Sequence, residues 1–178
     1  PIFQENGRNS SDFNSDKGRE NARSAIKAAK TKGIPKNTII YFAVDYDALD
    51  YEVTDYIIPY FYGIKEVFQS NINTLNYRIG VYGARNVCAR VSNRGYAISS
   101  FVSDMSSGFS GNLGYVLPTN WNYDQINNIV LTDPVYGSLE IDKVVCSERF
   151  NSVNSKNSNA KVYKKLKEIY DYALQRKN

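Results

Sequence analysis

Residues 38–44 read Thr-Ile-Ile-Tyr-Phe-Ala-Val, and Asp45-Tyr46-Asp47 follows them directly. A short apolar run without a charge is typical of a strand that is covered on both faces, as in parallel sheets. Similar runs occur at residues 77–82 and 97–102, and segments with helical periodicity lie between the three runs. Strands that alternate with helices predict parallel β-α units and therefore an α/β fold.

The helices are predicted from apolar residues that recur with helical spacing in three places. These segments are residues 22–29, 57–68 and 87–91. Gly33 follows the first segment and is typical of a helix end. Pro59 lies inside the second segment, so that helix is predicted to begin near Pro59 or to kink there.

Three more strand candidates, at residues 2–4, 121–126 and 139–145, bring the predicted strands to about six. At roughly 30 residues per β-α unit, about six units fill the chain. A doubly wound sheet and an incomplete (β/α)8 barrel both fit this count, because a complete barrel needs at least about 200 residues. Residues 103–120 are rich in Ser, Gly and Asn and predict a long loop, which is uncommon unless it is functional.

Composition excludes several kinds of site. The chain has 178 residues and no histidine, which excludes Ser-His-Asp and Cys-His catalysis and histidine-ligated zinc within it. Cys88 and Cys146 have no partner at metal-ligand spacing, and a disulfide between them stays an open alternative. No run of about 18 apolar residues occurs, so no membrane span is predicted. We expect no metal and no cofactor.

The net charge of +4 is concentrated near the C-terminus. Residues 151–178 carry an excess of five positive charges, which leaves −1 for residues 1–150. A nucleic-acid-binding domain should carry a basic stripe within its fold, so no nucleic-acid partner is predicted. Residues 1–150 are predicted to form the main domain. Residues 151–178 are predicted to form a polar linker and an amphipathic helix that packs on it.

Asp45 and Asp47 end the first long strand, and strand alternation directs both side chains to the same side. Parallel α/β folds carry their active sites at this end of the strands. Paired carboxylates perform glycoside hydrolysis, one as acid and the other as base or nucleophile. An ion pair, a cap of the following helix and a divalent-metal clamp are alternatives, although no Gly-rich phosphate loop accompanies the pair.

Two further strand-end acids are candidates for the same site. Glu140 and Asp142 repeat the i, i+2 spacing, and Asp142 is predicted to lie where the last strand reaches the mouth of the barrel. Asp104 follows the strand that ends at Val102. An acid at the surface edge of the sheet is the alternative interpretation of Asp142.

Trp121, Tyr123 and Gln125 alternate along a predicted strand and would share one face. An aromatic ring can stack on the face of a sugar while an amide bonds its hydroxyl groups. This set therefore predicts sugar recognition, and a position of Trp121 in the hydrophobic core is the alternative.

Five stretches resemble the glycoside-hydrolase-like family of domain of unknown function 1906, over about residues 1–150. That family is distantly similar to the lysozymes of glycoside hydrolase family 25, which are (β/α)8 barrels that cleave peptidoglycan. The resemblance implies a TIM-barrel-like fold, a cell-wall glycan as ligand or substrate, and an extracellular or cell-wall location. The stretches are IIYFAVDYDA (39–48), YRIGVYGARNVC (77–88), SFVSDMSSGFSGNLG (100–114), NWNYDQI (120–126) and LEIDK (139–143).

The resemblance also implies roles for individual residues. Asp45 and Asp47 match the acidic pair of the lysozymes, with Asp47 as the general acid. Asp45 or Asp142 would stabilise the developing positive charge of the sugar or position the attacking group. The substrate-binding residues that it implies are Tyr82, Asp104, Trp121 and Gln125.

Two departures from the lysozyme pattern shape the functional hypotheses. Asp47 stands where the lysozymes have a longer Glu, and catalytic groups must lie within about 0.5 Å of productive geometry. The hypotheses are therefore a glycosidase of retaining or substrate-assisted type and a non-catalytic glycan-binding module. In addition, residues 1–4 match the third barrel strand. The first two β-α units are thus predicted to come from a preceding segment of the same protein.

Overall fold

The computed structural model describes residues 1–5, 7–134 and 137–147. It has a mixed α/β fold with one curled, half-barrel sheet of six strands in the order β1-β2-β3-β4-β5-β6. The strands are β1 Ile2–Phe3, β2 Ile39–Ala43, β3 Arg78–Gly83, β4 Ser99–Val102, β5 Trp121–Asp133 and β6 Gly137–Cys146. The helices are α1 Ser15–Thr31, α2 Asp50–Glu52, α3 Ile58–Phe68 and α4 Arg85–Asn93.

The α/β class is confirmed, and β1 to β5 pair in parallel. Within the described residues, no helix is long and apolar enough to span a membrane. Residues 104–120 form a series of turns, as predicted. The predicted linker and helix of residues 151–178 lie outside the described part of the chain.

Helix α1 has clear signals at both ends. The Asn14 side chain caps its start by accepting a hydrogen bond from the Lys17 N–H (2.9 Å). Gly33 adopts a φ of 64° just after the helix, and this conformation lets the Ile34 N–H bond back to the Ala29 carbonyl. The helix therefore ends where the sequence predicted.

Helices α1 and α3 cross at two glycines. A Cβ atom added to Gly18 would lie 2.0 Å from the Tyr60 carbonyl oxygen, and one added to Gly63 would lie 2.1 Å from the Ser15 carbonyl oxygen. Each glycine thus faces the backbone of the other helix. The absence of two side chains is what lets these helices approach so closely.

Pro59 coincides with the start of α3, as one of the two sequence alternatives predicted. A π-helical turn at Val53–Ile57 precedes α3, and the Ile58 N–H donates to the Val53 carbonyl. Because proline has no N–H, it cannot donate the hydrogen bond of a regular helix at this point. The wider turn and the proline together mark the entry to α3.

The two faces of the sheet differ in composition. Helices α1, α3 and α4 pack on one face, where Phe42, Val81 and Val102 are fully buried in a single hydrophobic core. The opposite face, here called the tyrosine face, carries Tyr41, Tyr82, Phe101 and Tyr123, whose rings contact one another. This face meets the carboxyl ends of the strands, where the candidate acids lie.

The prediction of a parallel β-α unit for the last strand is wrong. Strand β6 runs antiparallel to β5, and Asp133 of β5 pairs with Gly137 of β6. Three residues separate the two strands, whereas a parallel crossover needs a dozen or more. Strand β5 continues well past Asp124, which pairs with the last residue of β4. The resulting β5–β6 hairpin therefore projects beyond the carboxyl edge of the parallel strands.

Candidate functional site

Tyr82 lies at the centre of the candidate site, at the carboxyl end of β3. Its hydroxyl donates to Gln125 Oε1 on β5 (2.8 Å), and its ring packs edge-on against Phe101 (5.3 Å between ring centres). Burial, followed by the negative charges of Asp45 and Asp142, raises the pKa of Tyr82 to about 12. Two of the three predicted catalytic acids thus act electrostatically on one tyrosine.

Asp45 follows β2 at the edge of an open cleft. Its backbone N–H donates to the Gly7 carbonyl (2.8 Å), and its exposed carboxylate accepts a hydrogen bond from Gln4 Nε2 (3.1 Å). The cleft has a volume of about 520 Å³ and can accommodate a sugar unit. Its lining is mostly charged or amide-bearing and comprises Gln4, Glu5, Arg8, Asn9, Asp12 and Asp45.

Asp47 is held by the loop that follows β4. Its Oδ1 atom accepts hydrogen bonds from the Ser110 N–H and the Ser110 hydroxyl, both at 2.7 Å. The intervening Tyr46 packs into the core and stacks on Phe13, while Asp45 and Asp47 are both exposed. The two aspartates therefore bind different neighbours, one beside β1 and the other beyond β4.

Asp142 does not end a parallel strand, because β6 returns from the tip of the hairpin. It pairs with Asn128 of β5, whose Nδ2 atom donates to Asp142 Oδ1 (3.2 Å). Directly opposite residues of a strand pair share a face, so Asp142 and Asn128 lie together on the hairpin. The negative charge of Asp142 contributes to the raised pKa of Tyr82, after burial and the charge of Asp45. Asp142 therefore lies on the hairpin and not at the end of a parallel strand.

Trp121 does not share a face with Tyr123, contrary to the prediction. The pairing of β4 and β5 shifts between Ser100 and Phe101, where Ser100 pairs with Trp121 and Phe101 with Tyr123. Such a bulge interrupts strand alternation. Trp121 consequently packs against the hydrophobic core, whereas the Tyr123 ring packs against Phe101 on the tyrosine face. Trp121 therefore lies against the hydrophobic core, which was the alternative interpretation of its sequence position.

Asp104 is bound to Arg85 through both carboxylate oxygens. Arg85 Nε donates to Oδ1 (2.7 Å) and Nη2 donates to Oδ2 (2.5 Å). The Asp104 side chain is 15% exposed. Asp104 therefore carries a structural ion pair at the end of β4, and its predicted bond to a sugar hydroxyl stays a prediction.

The sequence analysis missed Asp124, which lies on β5 beside Asp104. The residue is 7% exposed, and no described residue bonds its Oδ1 atom. Burial, the charge of Asp104 and a hydrogen bond with the Asp104 side chain raise the pKa of Asp124 to about 6. Its signal in the sequence was an acid inside a predicted strand, but its proximity to Asp104 depends on the β4–β5 register, in which Asp124 pairs with Val102.

Metal and disulfide chemistry find no support in the described part of the chain. No group of three or more Cys, Asp or Glu side chains there could hold a metal ion. Cys88 is buried in the core and Cys146 is exposed on β6, and the two are not bonded. Burial raises the pKa of the Cys88 thiol. Cys88 is thus a core side chain.

The family model of the Rv2525c-like, glycoside hydrolase-like domain matches residues 1–157. The chain belongs to this family. Two relatives in Bacillus subtilis strain 168 carry the names uncharacterized protein FadG and uncharacterized protein YbfG. FadG is 45% identical over 177 residues, which is 97% of this chain and 30% of FadG. YbfG is 49% identical over 160 residues, or 88% of this chain and 22% of YbfG. The chain thus spans under a third of each relative.

Three solved structures have a similar fold. The Mycobacterium tuberculosis Tat-secreted protein Rv2525c in complex with HEPES aligns with a TM-score of 0.59 at 19% identity, over 79% of this chain and 63% of that one. Its complex with L-tartrate aligns with a TM-score of 0.60 at 18% identity, over 80% of this chain and 65% of that one. An uncharacterized B. stearothermophilus protein aligns with a TM-score of 0.53 at 17% identity, over 84% of this chain and 70% of that one. The predicted family is confirmed.

Proposed function

We propose that this domain binds a cell-wall glycan such as peptidoglycan at the carboxyl edge of the tyrosine face. The observation that carries the proposal is the hydrogen bond from the Tyr82 hydroxyl to Gln125 Oε1 beside the carboxyl ends of the strands, where Asp45 follows β2. Carboxylates and an amide accept hydrogen bonds from sugar hydroxyls, and aromatic rings offer apolar faces to a pyranose. Asp45 also borders the open cleft.

In the catalytic form of this proposal, Asp47 is the general acid. Both hydrogen bonds from Ser110 fall on its Oδ1 atom, so Oδ2 is the oxygen that would face the glycosidic bond. Asp45 or Asp142 would stabilise the positive charge that develops on the sugar. A separation of about 5–5.5 Å between the two carboxyl groups in the glycan complex would indicate a retaining mechanism.

The second candidate is a binding module without turnover. Asp47 Oδ1 accepts two hydrogen bonds from Ser110, whereas a general acid must donate a proton to the leaving group. The shorter side chain of Asp47, compared with Glu, favours the same candidate. Binding would then use Asp45, Tyr82, Gln125 and Asp142 alone.

We also propose that a preceding segment of the same protein completes a TIM-like barrel by pairing with β1. Strand β1 has only two residues, and Ile2 is exposed at this edge of the sheet. A strand added here would form backbone hydrogen bonds with β1 and would continue the curl of the sheet. An extracellular location is part of the proposal, with support from the Tat-secreted family member Rv2525c.

The test is sedimentation of the chain with insoluble peptidoglycan, together with release of reducing ends. We expect Asp45→Asn and Asp142→Asn each to weaken binding about tenfold, because a hydrogen bond to a charged group is worth about 1.5–3 kcal/mol. Asp55→Asn is the matched control, because Asp55 is an exposed aspartate on the π-helical turn away from the site. It should bind like the wild type.

Asp47→Asn distinguishes the two candidates. If the wild type releases reducing ends and Asp47→Asn does not while it still binds, the domain is a hydrolase. If the wild type binds and releases nothing, it is a binding module. Wild-type protein that fails to bind peptidoglycan, or that binds equally well after both the Asp45 and Asp142 changes, would contradict the proposal.

A further inference from the structure

The loop of residues 103–120 is tied together by Asn112. The Asn112 Nδ2 atom donates to the carbonyl oxygens of Ser103 (3.0 Å) and Ser106 (2.9 Å). Its Oδ1 atom accepts from the Arg85 N–H at the start of α4 (2.9 Å). Because Asn112 is buried and makes all three bonds, this part of the loop is one folded unit docked on α4.

The same loop reaches Asp47 through Ser110, two residues before Asn112. Both donors of Ser110 bond Asp47 Oδ1. The position of Asp47 at the site is thus coupled to whether the loop is docked. The loop thus connects its base to Asp47 through Ser110.

The base of the loop contains two carboxyl groups and one cation. Asp104 and Arg85 form a pair with no net charge, and Asp124 lies beside them. The remaining groups near Asp124 supply no positive charge. Cys88 faces it from α4, Val102 is its partner on β4, and Val145 is its partner on β6. An ionised Asp124 would be stabilised by the Asp104 N–H and by the charge of Arg85, which is already paired with Asp104. The buried base of the loop would then carry two carboxylates and one cation, an excess of negative charge that is unfavourable.

We infer that Asp124 is a positioning residue that locks the loop over Asp47 when it carries a proton, and unlocks it when it ionises. In the locked state the Asp124 O–H donates to the Asp104 carboxylate, which Arg85 also holds. Ionisation places two carboxylates side by side, and their repulsion is relieved when Asp104 and the loop move away. Ser110 then no longer holds Asp47. The lock is a property of the loop, and only its effect on glycan rests on the proposed function.

The direction of the pH dependence follows from linkage. The pKa of Asp124 in the folded protein, about 6, lies above the ordinary aspartate value of 3.8. Docking is therefore fully favoured by the proton below pH 3.8, and this contribution is lost as the pH rises through 6. Well above pH 6, where Asp124 is fully ionised, the loss is complete and this contribution no longer depends on pH.

The first test is hydrogen exchange of the Ser110 and Asn112 amides in the full chain by NMR, corrected for the intrinsic exchange rate. In the wild type, we expect protection to fall by up to about tenfold per pH unit between pH 4 and 6 and then to level off. Asp124→Asn keeps a donor and cannot ionise. In this variant at pH 7.5, we expect the Ser110 and Asn112 amides to be as strongly protected from exchange as those of the wild type are at pH 4. Protection that does not change with pH in the wild type would refute the lock.

The second test titrates the Asp124 carboxyl carbon by NMR, which does not depend on a variant that folds. We expect a midpoint near pH 6 in the wild type and a midpoint at least about one unit lower in Asp104→Asn, where the neighbouring charge is absent. A wild-type midpoint near 4 would overturn the inference. Ser110→Ala is the matched control, because it removes the hydroxyl that bonds Asp47 and should leave the Asp124 midpoint unchanged.

Glycan binding supplies the readout that connects the lock to the site. If peptidoglycan binding is observed, its affinity should change less between pH 4 and 7.5 in Asp124→Asn than in the wild type, because the contribution of the lock is absent there while the carboxylates of the site are retained. An equal change in both proteins would contradict the connection between the lock and the site. If the domain binds no glycan, the proposed function fails, while the exchange and titration results still decide the lock.

Discussion

The two faces of the sheet are made by alternate residues of the same strands and yet have opposite chemistry. On β2, Phe42 faces the helices and contacts Phe3 and Phe68, while its neighbour Tyr41 faces the other way and bonds Ser99 through its hydroxyl (2.7 Å). The helix-covered face is aliphatic and aromatic. The tyrosine face is aromatic too, but its rings carry hydroxyl groups that need partners.

This difference assigns separate tasks to the two faces. Apolar burial against the helices supplies stability that requires no polar partner. The tyrosine face buries hydroxyl and amide groups in place of some apolar groups, and hydrogen bonds such as that from Tyr82 to Gln125 hold them in fixed positions. Candidate acids such as Asp45 lie at the carboxyl ends of the strands, next to the tyrosine face. Mutations on the helix-covered face should therefore change stability, and mutations on the tyrosine face should change ligand binding.

The largest effect is expected at Phe42, which is 0% exposed. Phe42→Ala removes a ring from a close-packed core and should lower the free energy of unfolding by about 3–5 kcal/mol. Tyr41→Phe is the matched variant from the other face, and loss of its hydrogen bond should cost about 1 kcal/mol. Urea unfolding followed by circular dichroism measures both. Similar losses for the two variants would break the comparison.

A smaller loss is expected where α1 and α3 cross on the helix-covered side. Gly63→Ala places a methyl group against the Ser15 carbonyl and should cost about 1–3 kcal/mol, because neither backbone can move freely. Gly108→Ala is the control, since a Cβ atom there would meet nothing within 4 Å. Unfolding midpoints in urea should separate the two variants clearly. A Gly63→Ala protein as stable as wild type would show that the helices are not locked in contact.

The sequence predicted the helix-covered half of the fold well, because local patterns determine it. The apolar run at β2, the helical spacing of α1 and the proline at the start of α3 each reflect a local rule. The direction of β6 was mispredicted, because two apolar strand patterns look alike whether the strands run parallel or antiparallel. The connection between them, which has only three residues, requires the antiparallel direction. The predicted strands ended at residue 126 and began at residue 139, so the connection was predicted to be longer than it is.

The candidate site was predicted in part for a related reason. Asp45 follows β2, Tyr82 lies near the end of β3 and Gln125 lies within β5, and their positions follow from alternation. Trp121 was misplaced because a bulge, which depends on pairing with β4, shifted the alternation. Asp124 was missed because its significance depends on the register between β4 and β5, which pairs it with Val102, two residues before Asp104. Contacts that depend on the register between strands cannot be derived from the spacing along one strand.

The smallest effect on stability, and the sharpest test of the comparison, is expected at Tyr82. Tyr82→Phe keeps the ring against Phe101 and removes only the hydroxyl that donates to Gln125 (2.8 Å), so the free energy of unfolding should fall by about 0.5–1.5 kcal/mol. Tyr77→Phe is the matched variant on the helix-covered side, where the hydroxyl donates to the Ile34 carbonyl (2.8 Å). Because each change deletes one hydrogen bond, urea unfolding should give similar losses for both. Peptidoglycan sedimentation should distinguish them, since only Tyr82→Phe frees the Gln125 amide from its fixed orientation at the site. Equal binding by the two variants would mean that the tyrosine hydroxyls serve stability alone, and that the division of tasks between the two faces does not hold.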